Sequence, residues 1–216
     1  MSNEGKHFTI DFVDPLFAVA IHIGFTHWFI DQPWFRDWRP PLGSHEWFSS
    51  ATFFLGFLTI LLSWVGYHQS VRTKPIKGYW RFLIDVVLVA TYALLLVKAS
   101  HLQAVLFLLF VIYGLYGLWD LAKVFEYPEK FTGATHGHRY RREYVTVLFF
   151  VVFGLLALAA RSYASSPTQL GQSFADWLLL TLSLVCTVLY RVWKAIPFLA
   201  TLGRVGLHGL ESDQEP

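Results

Sequence analysis

Six apolar blocks, separated by polar connections, constrain this chain more than any other feature. They run over about 12–30, 48–68, 80–98, 103–125, 144–161 and 176–194. About twenty helical residues rise roughly 30 Å, the thickness of a bilayer's hydrocarbon core. Inside that core each backbone NH and carbonyl must be satisfied within its own segment, which selects helix. The 216 residues are 55% hydrophobic and 15% charged, a balance that excludes an ordinary soluble domain. The expectation is an all-α fold: a six-transmembrane-helix bundle forming a single domain over 1–210, followed by an acidic tail at 211–216. Trp28, Trp47, Trp80, Trp177 and Trp193 lie at block ends, where interface anchors belong. The first ten residues are polar and no small-residue cleavage pattern follows, so the first block is expected to remain as a span.

Thirteen of the seventeen Lys and Arg fall on the side of the N-terminus; the other side holds Arg36, Arg39, Lys98 and Arg161. Positive charge concentrates on the cytoplasmic side, and an even number of spans puts both ends of the chain together. N and C termini are therefore expected in the cytoplasm of an integral, multi-pass protein. Chain size suggests a prokaryotic inner (plasma) membrane. Loop 31–47, rich in Trp and Pro, then faces outward as an interfacial cap. Residues 196–210 read as a short amphipathic tail.

Enzymatic chemistry has little to stand on. The chain has no HExxH, no GxSxG, no glycine-rich phosphate loop and no acidic cluster for magnesium. His22 and His27 are five residues apart and point to different faces of a helix. Cys186 is the single cysteine and reads as a small packed residue. No metal, cofactor or catalytic residue is expected.

Polar groups inside apolar spans carry more information, because lipid tolerates them only with a partner or a wet cavity. The first span holds Asp14, Pro15, His22 and His27. Asp14 followed by Pro15 fits the first turn of a helix, where a carboxylate meets unsatisfied NH groups and proline lacks a donor that would be wasted. Trp64 and His68 share a face near the same depth at the end of span two, so Asp14 can also serve as their hydrogen-bond acceptor. One face of span one reads Pro15, Val19, His22, Thr26, Phe29. Around an axis of several copies, Val19 would form an apolar ring and His22 and Thr26 a polar one. An apolar ring gates by dewetting or filters by size, and a histidine ring responds to pH. Periodicity alone leaves open that this face packs within one subunit. Elsewhere Arg81 and Asp85 read as a local pair at i, i+4, Asp120 and Lys123 read similarly, Gly114 and Gly117 allow close helix approach, and Arg191 and Lys194 read as snorkelling end residues.

Phe12-Val13-Asp14, followed by Phe17-Ala18-Val19-Ala20-Ile21, resembles the first helix of the six-helix FSD-motif potassium channel family of bacteria and lysosomes. Trp64 and His68 resemble the tryptophan and histidine that end that family's second helix. The likeness covers spans one and two. It implies assembly around the first helix, as a homotetramer, with a bulky apolar residue at the constriction; Val19 matches that position. It also implies that Phe12, Asp14, Trp64 and His68 dock the first helix to the second. Val13 stands where the family has serine, Phe8 where arginine is expected, and His22 where threonine is common. These departures bear on the ion more than on the pore.

A last feature lies between spans four and five. His136, His138, Arg139, Tyr140, Arg141 and Arg142 cluster cations beside an aromatic ring. Such a loop attracts anionic lipid headgroups, or takes a nucleotide, an oligonucleotide or another anionic ligand at the cytoplasmic mouth. The expectation is thus an oligomeric ion channel, lined by the first helix and gated by such a ligand, with the bilayer, the permeant ion and copies of itself as partners. A secondary transporter and a non-conducting membrane anchor or partner protein are the competing readings.

Overall fold

The computed structural model of the protein describes residues 8–31, 44–73, 76, 78–127, 136–165, 169 and 171–211. They form six helices: α1 (Phe8–Asp31), α2 (Ser44–Thr73), α3 (Tyr79–Val97), α4 (Leu102–Glu126), α5 (His136–Tyr163) and α6 (Phe174–Glu211). All six are long and apolar enough to cross a membrane, and no strand occurs among the described residues. This is the multi-pass helical architecture that the six blocks prescribe.

Several boundaries differ from the sequence reading. α1 begins at Phe8, so Pro15 lies inside the helix rather than in its first turn. Asp14 is therefore not a cap; its carboxylate is used elsewhere. His136–Arg142 belong to the first turns of α5, not to a loop. α6 continues past 194 to Glu211 as one helix, which absorbs the expected separate tail and the first residue of the acidic segment. Residues 212–216, and 32–43 of the expected outer cap, lie outside the described residues.

The helices alternate in direction. α1 packs chiefly against α3, α4 against α5 and α3, and α6 against α5 and α2. Gly24 of α1 makes the closest approach: a Cβ there would collide with the Leu96 side chain of α3, the kind of small-residue seam that lets helices pack in lipid. Gly114 admits the Phe150 ring similarly, at 3.1 Å from where a Cβ would sit, whereas nothing lies within 4 Å of that position at Gly117. Every helix exposes several large apolar side chains, while Arg81, Asp85, Lys123 and Thr146 are buried. A protein apolar outside and polar inside is suited to lipid, where helix association relies on packing and interhelical hydrogen bonds.

At the opposite end from Asp14, the α5–α6 connection turns at Gly171, whose φ of 81° suits glycine. The backbone NH groups of Ser165 and Gly171 both donate to the Asp176 carboxylate at 2.9 Å. This ties the start of α6 to the end of α5.

Candidate functional site

α1 carries two kinds of residue on two sides. Val13, Phe17 and Ala20 are buried against the bundle. Val19 is 52% exposed, and Pro15, His22 and Thr26 are exposed with it, as are Ile23 and Phe29 on the same flank. The stripe read from the periodicity is therefore not consumed by packing within the chain. It forms a ladder of alternating apolar and polar side chains available to a partner, to lipid or to water. His27 points elsewhere and is half-buried, as its five-residue offset from His22 requires.

Asp14 sits where α1 meets the end of α2. Its Oδ1 accepts a hydrogen bond from Trp64 Nε1 at 3.0 Å and lies 2.9 Å from His68 Nε2. The two rings meet edge to face, with centroids 4.8 Å apart. One carboxylate oxygen thus satisfies two aromatic NH groups separated by one helical turn, and the rings brace each other. The Asp14 side chain is 40% exposed and that of His68 23%. The geometry fixes the rotation of α1 about its axis, and with it the direction in which Val19 and His22 face. The side-chain surroundings of Phe12, and those of His136, His138, Arg139, Tyr140, Arg141 and Arg142, lie outside the described residues.

A second polar assembly lies inside the bundle, at the same end. Arg191 of α6 donates from Nη2 to Ser63 Oγ of α2 at 2.5 Å and to the Tyr116 hydroxyl of α4 at 2.9 Å. Ser63 and Tyr116 are themselves hydrogen-bonded, and Tyr116 meets the Tyr92 hydroxyl of α3 at 2.8 Å. One turn further along, Lys194 pairs with Asp120 at 2.8 Å, and Thr146 of α5 donates to the same carboxylate oxygen at 3.0 Å. Lys123 donates to Ser70 at 3.0 Å. Arg81 pairs with Glu126 at 2.7 Å and lies 4.5 Å from the Trp119 ring centroid.

These partners correct the sequence reading. Arg81 reaches across to Glu126 of α4 while still acting electrostatically on Asp85, Asp120 takes Lys194 as its ion-pair partner with Lys123 acting from further off, and Arg191 and Lys194 turn into the bundle rather than outward. The reason is the solvent: with hydrocarbon on the outside, a charged side chain gains most by finding a partner on a neighbouring helix. The signal available in the sequence was depth. Ser63, Asp85, Tyr116, Asp120 and Arg191 all fall within the same end of their spans, which brings them to one level once the helices alternate.

The cluster borders an open cavity of about 310 Å³ lined by residues of α1, α2, α3, α4 and α6. Among the described residues, no group of three or more His, Cys, Asp or Glu is placed to hold a metal ion. The chain matches no family model, no curated protein and no solved structure.

Proposed function

We propose that the protein is an oligomeric membrane ion channel whose pore is lined by α1, with Val19 as its constriction and His22 and Thr26 as the polar ring beyond. The observation that carries this reading is the exposed ladder on α1. A helix whose Val19, His22 and Thr26 all face away from its own subunit, while Asp14 clamps it to α2, is arranged to meet copies of itself around an axis. Scattered polar residues facing lipid would be costly; facing a wet axis, they are not. The likeness of spans one and two to the FSD-motif channels supports a homotetramer, and the charge bias supports cytoplasmic termini. The Arg139–Arg142 segment at the start of α5 would then ring the cytoplasmic mouth, available to an anionic ligand or to lipid headgroups.

The test is planar-bilayer recording of the purified protein with reversal potentials for potassium, sodium and chloride. Discrete single-channel currents that change amplitude in Val19→Ala support the reading. Saturable flux without unitary currents would replace it with a secondary transporter, for which the cavity within the subunit would be the natural substrate site. Background flux in every condition would leave a non-conducting membrane partner.

A further inference from the structure

α4 carries a lipid-facing ridge with a groove on either side. Leu115, Leu118 and Leu121 line both grooves, and Leu118 and Leu121 are exposed. The groove toward α3 holds about 680 Å³ and the groove toward α5 about 690 Å³, each within the size range of small-molecule sites. Apolar side chains line most of both, and among the described residues no Lys or Arg lines either. One carboxylate belongs to each: Glu126 to the first groove, Asp120 to the second. Both lie in the last two turns of α4, so the polar parts of the two grooves sit at the same end.

Glu126 is committed: its two oxygens accept the Gly78 NH at 2.9 Å and Arg81 Nη1 at 2.7 Å. Asp120 is only half committed. Lys194 and Thr146 both donate to Oδ2, and Oδ1 makes no hydrogen bond among the described residues. Oδ1 is also not sealed within the protein, and the Asp120 side chain is 20% exposed. An open acceptor beside a hydrocarbon groove costs free energy until a donor reaches it. Lipid tails supply no donor, whereas the head of an amphiphile does. The room for one is at Gly117, three residues before Asp120 and part of the same groove, where nothing lies within 4 Å of a Cβ position.

We propose that the α4 ridge binds a diacylglycerol-type lipid, with one acyl chain in each groove and the free hydroxyl donating to Asp120 Oδ1. Two grooves of nearly equal volume sharing one ridge suit two chains joined at one head. The charge around them selects the head. The Asp120 carboxylate is already matched by Lys194, so an ammonium head would add an unmatched cation. A phosphate head would meet two carboxylates and no cation in either lining. A neutral hydroxyl supplies the missing donor without adding charge. Along α4 the rise from Asp120 back to Val111, which lines the α5-side groove, is about 14 Å, enough for a chain to run from the hydroxyl toward the middle of the bilayer. The site lies away from α1 and does not rest on the pore.

The test uses the full chain, purified in detergent, stripped of lipid and then offered one lipid at a time, with retained lipid counted by native mass spectrometry. The probes share their acyl chains: dioleoylglycerol, its methyl ether (which lacks the hydroxyl donor) and dioleoylphosphatidylcholine. Wild type is expected to retain a single dioleoylglycerol per chain and to hold the ether about tenfold more weakly, the loss of one hydrogen bond to a charged acceptor. Phosphatidylcholine is expected to bind more weakly than dioleoylglycerol as well. Gly117→Leu fills the α5-side groove from a position with open space, so it is expected to keep the thermal stability of wild type while retention falls severalfold. If Gly117→Leu does not fold, the comparison of dioleoylglycerol with its ether decides, since it needs no variant. Equal retention of the two, preference for phosphatidylcholine, wild-type retention in a folded Gly117→Leu, or no retention of dioleoylglycerol overturns the proposal.

Discussion

Trp64 donates its indole NH to Asp14 Oδ1 at 3.0 Å, joining the first turns of one span to the last turns of the next. Removing the acceptor leaves the Trp64 and His68 NH groups without their partner. Asp14→Ala is expected to destabilise the subunit by about 1–2 kcal/mol, the partial exposure of the site holding it to the lower part of the range for such losses. The check is a double-mutant cycle with His68→Ala, read as thermal stability in detergent. A coupling energy near zero would show that the contact does not hold the two helices.

Under the proposed pore, Val19 and His22 have separate roles. Val19→Ala is expected to increase unitary conductance without altering the oligomer seen by size-exclusion chromatography. His22→Ala is expected to leave conductance present but to shift the reversal potentials, because the polar ring beyond Val19 is lost. Identical reversal potentials in wild type and His22→Ala would take His22 out of the conduction path.

Two glycines give opposite expectations. Gly24→Val drives a branched side chain into Leu96 and is expected to cost about 1–3 kcal/mol, as overpacking does. Gly117→Ala meets nothing within 4 Å of its new Cβ and is expected to be neutral or stabilising by up to about 1 kcal/mol through helix propensity. Thermal unfolding in the same detergent compares them directly.

Asp120→Asn leaves Lys194 without its counter-charge. Breaking such a pair typically costs about 3–5 kcal/mol when buried; with side-chain exposures of 15% and 20% for the two partners, the lower figure is expected. Restoring neutrality with Asp120→Asn combined with Lys194→Met should recover most of the loss. Failure to recover it would assign the stabilisation to Thr146 or to packing rather than to charge.

The number and placement of the helices were legible because the hydrophobic period and the bilayer thickness act on every residue of a span alike. The Asp14–Trp64–His68 contact was legible too, since residues at equal depth on adjacent spans have few other partners. What could not be read was which residues pair across the interior. Arg81 and Asp85 satisfy the i, i+4 rule on their own helix, yet Glu126 offers Arg81 a closer partner; sequence spacing carries no information about a helix forty-five positions away. Arg191 was likewise read as an end anchor, because length and charge alone suit either direction. Its inward turn follows from Ser63, Tyr116 and the space beside Gly66, three features on two other helices.

Pro15 leaves one rung out of the α1 ladder, since it has no NH to return to the carbonyl of Asp11. Bending stiffness in a helix comes from those rungs, and it is lowest where one is missing. The clamp at Asp14 holds the chain on the near side of the gap, and Val19 to Ile30 lie beyond it. Beyond the gap Gly24 is seated against Leu96 of α3, so the weakest turn of α1 is braced on both sides, by α2 at Asp14 and by α3 at Gly24.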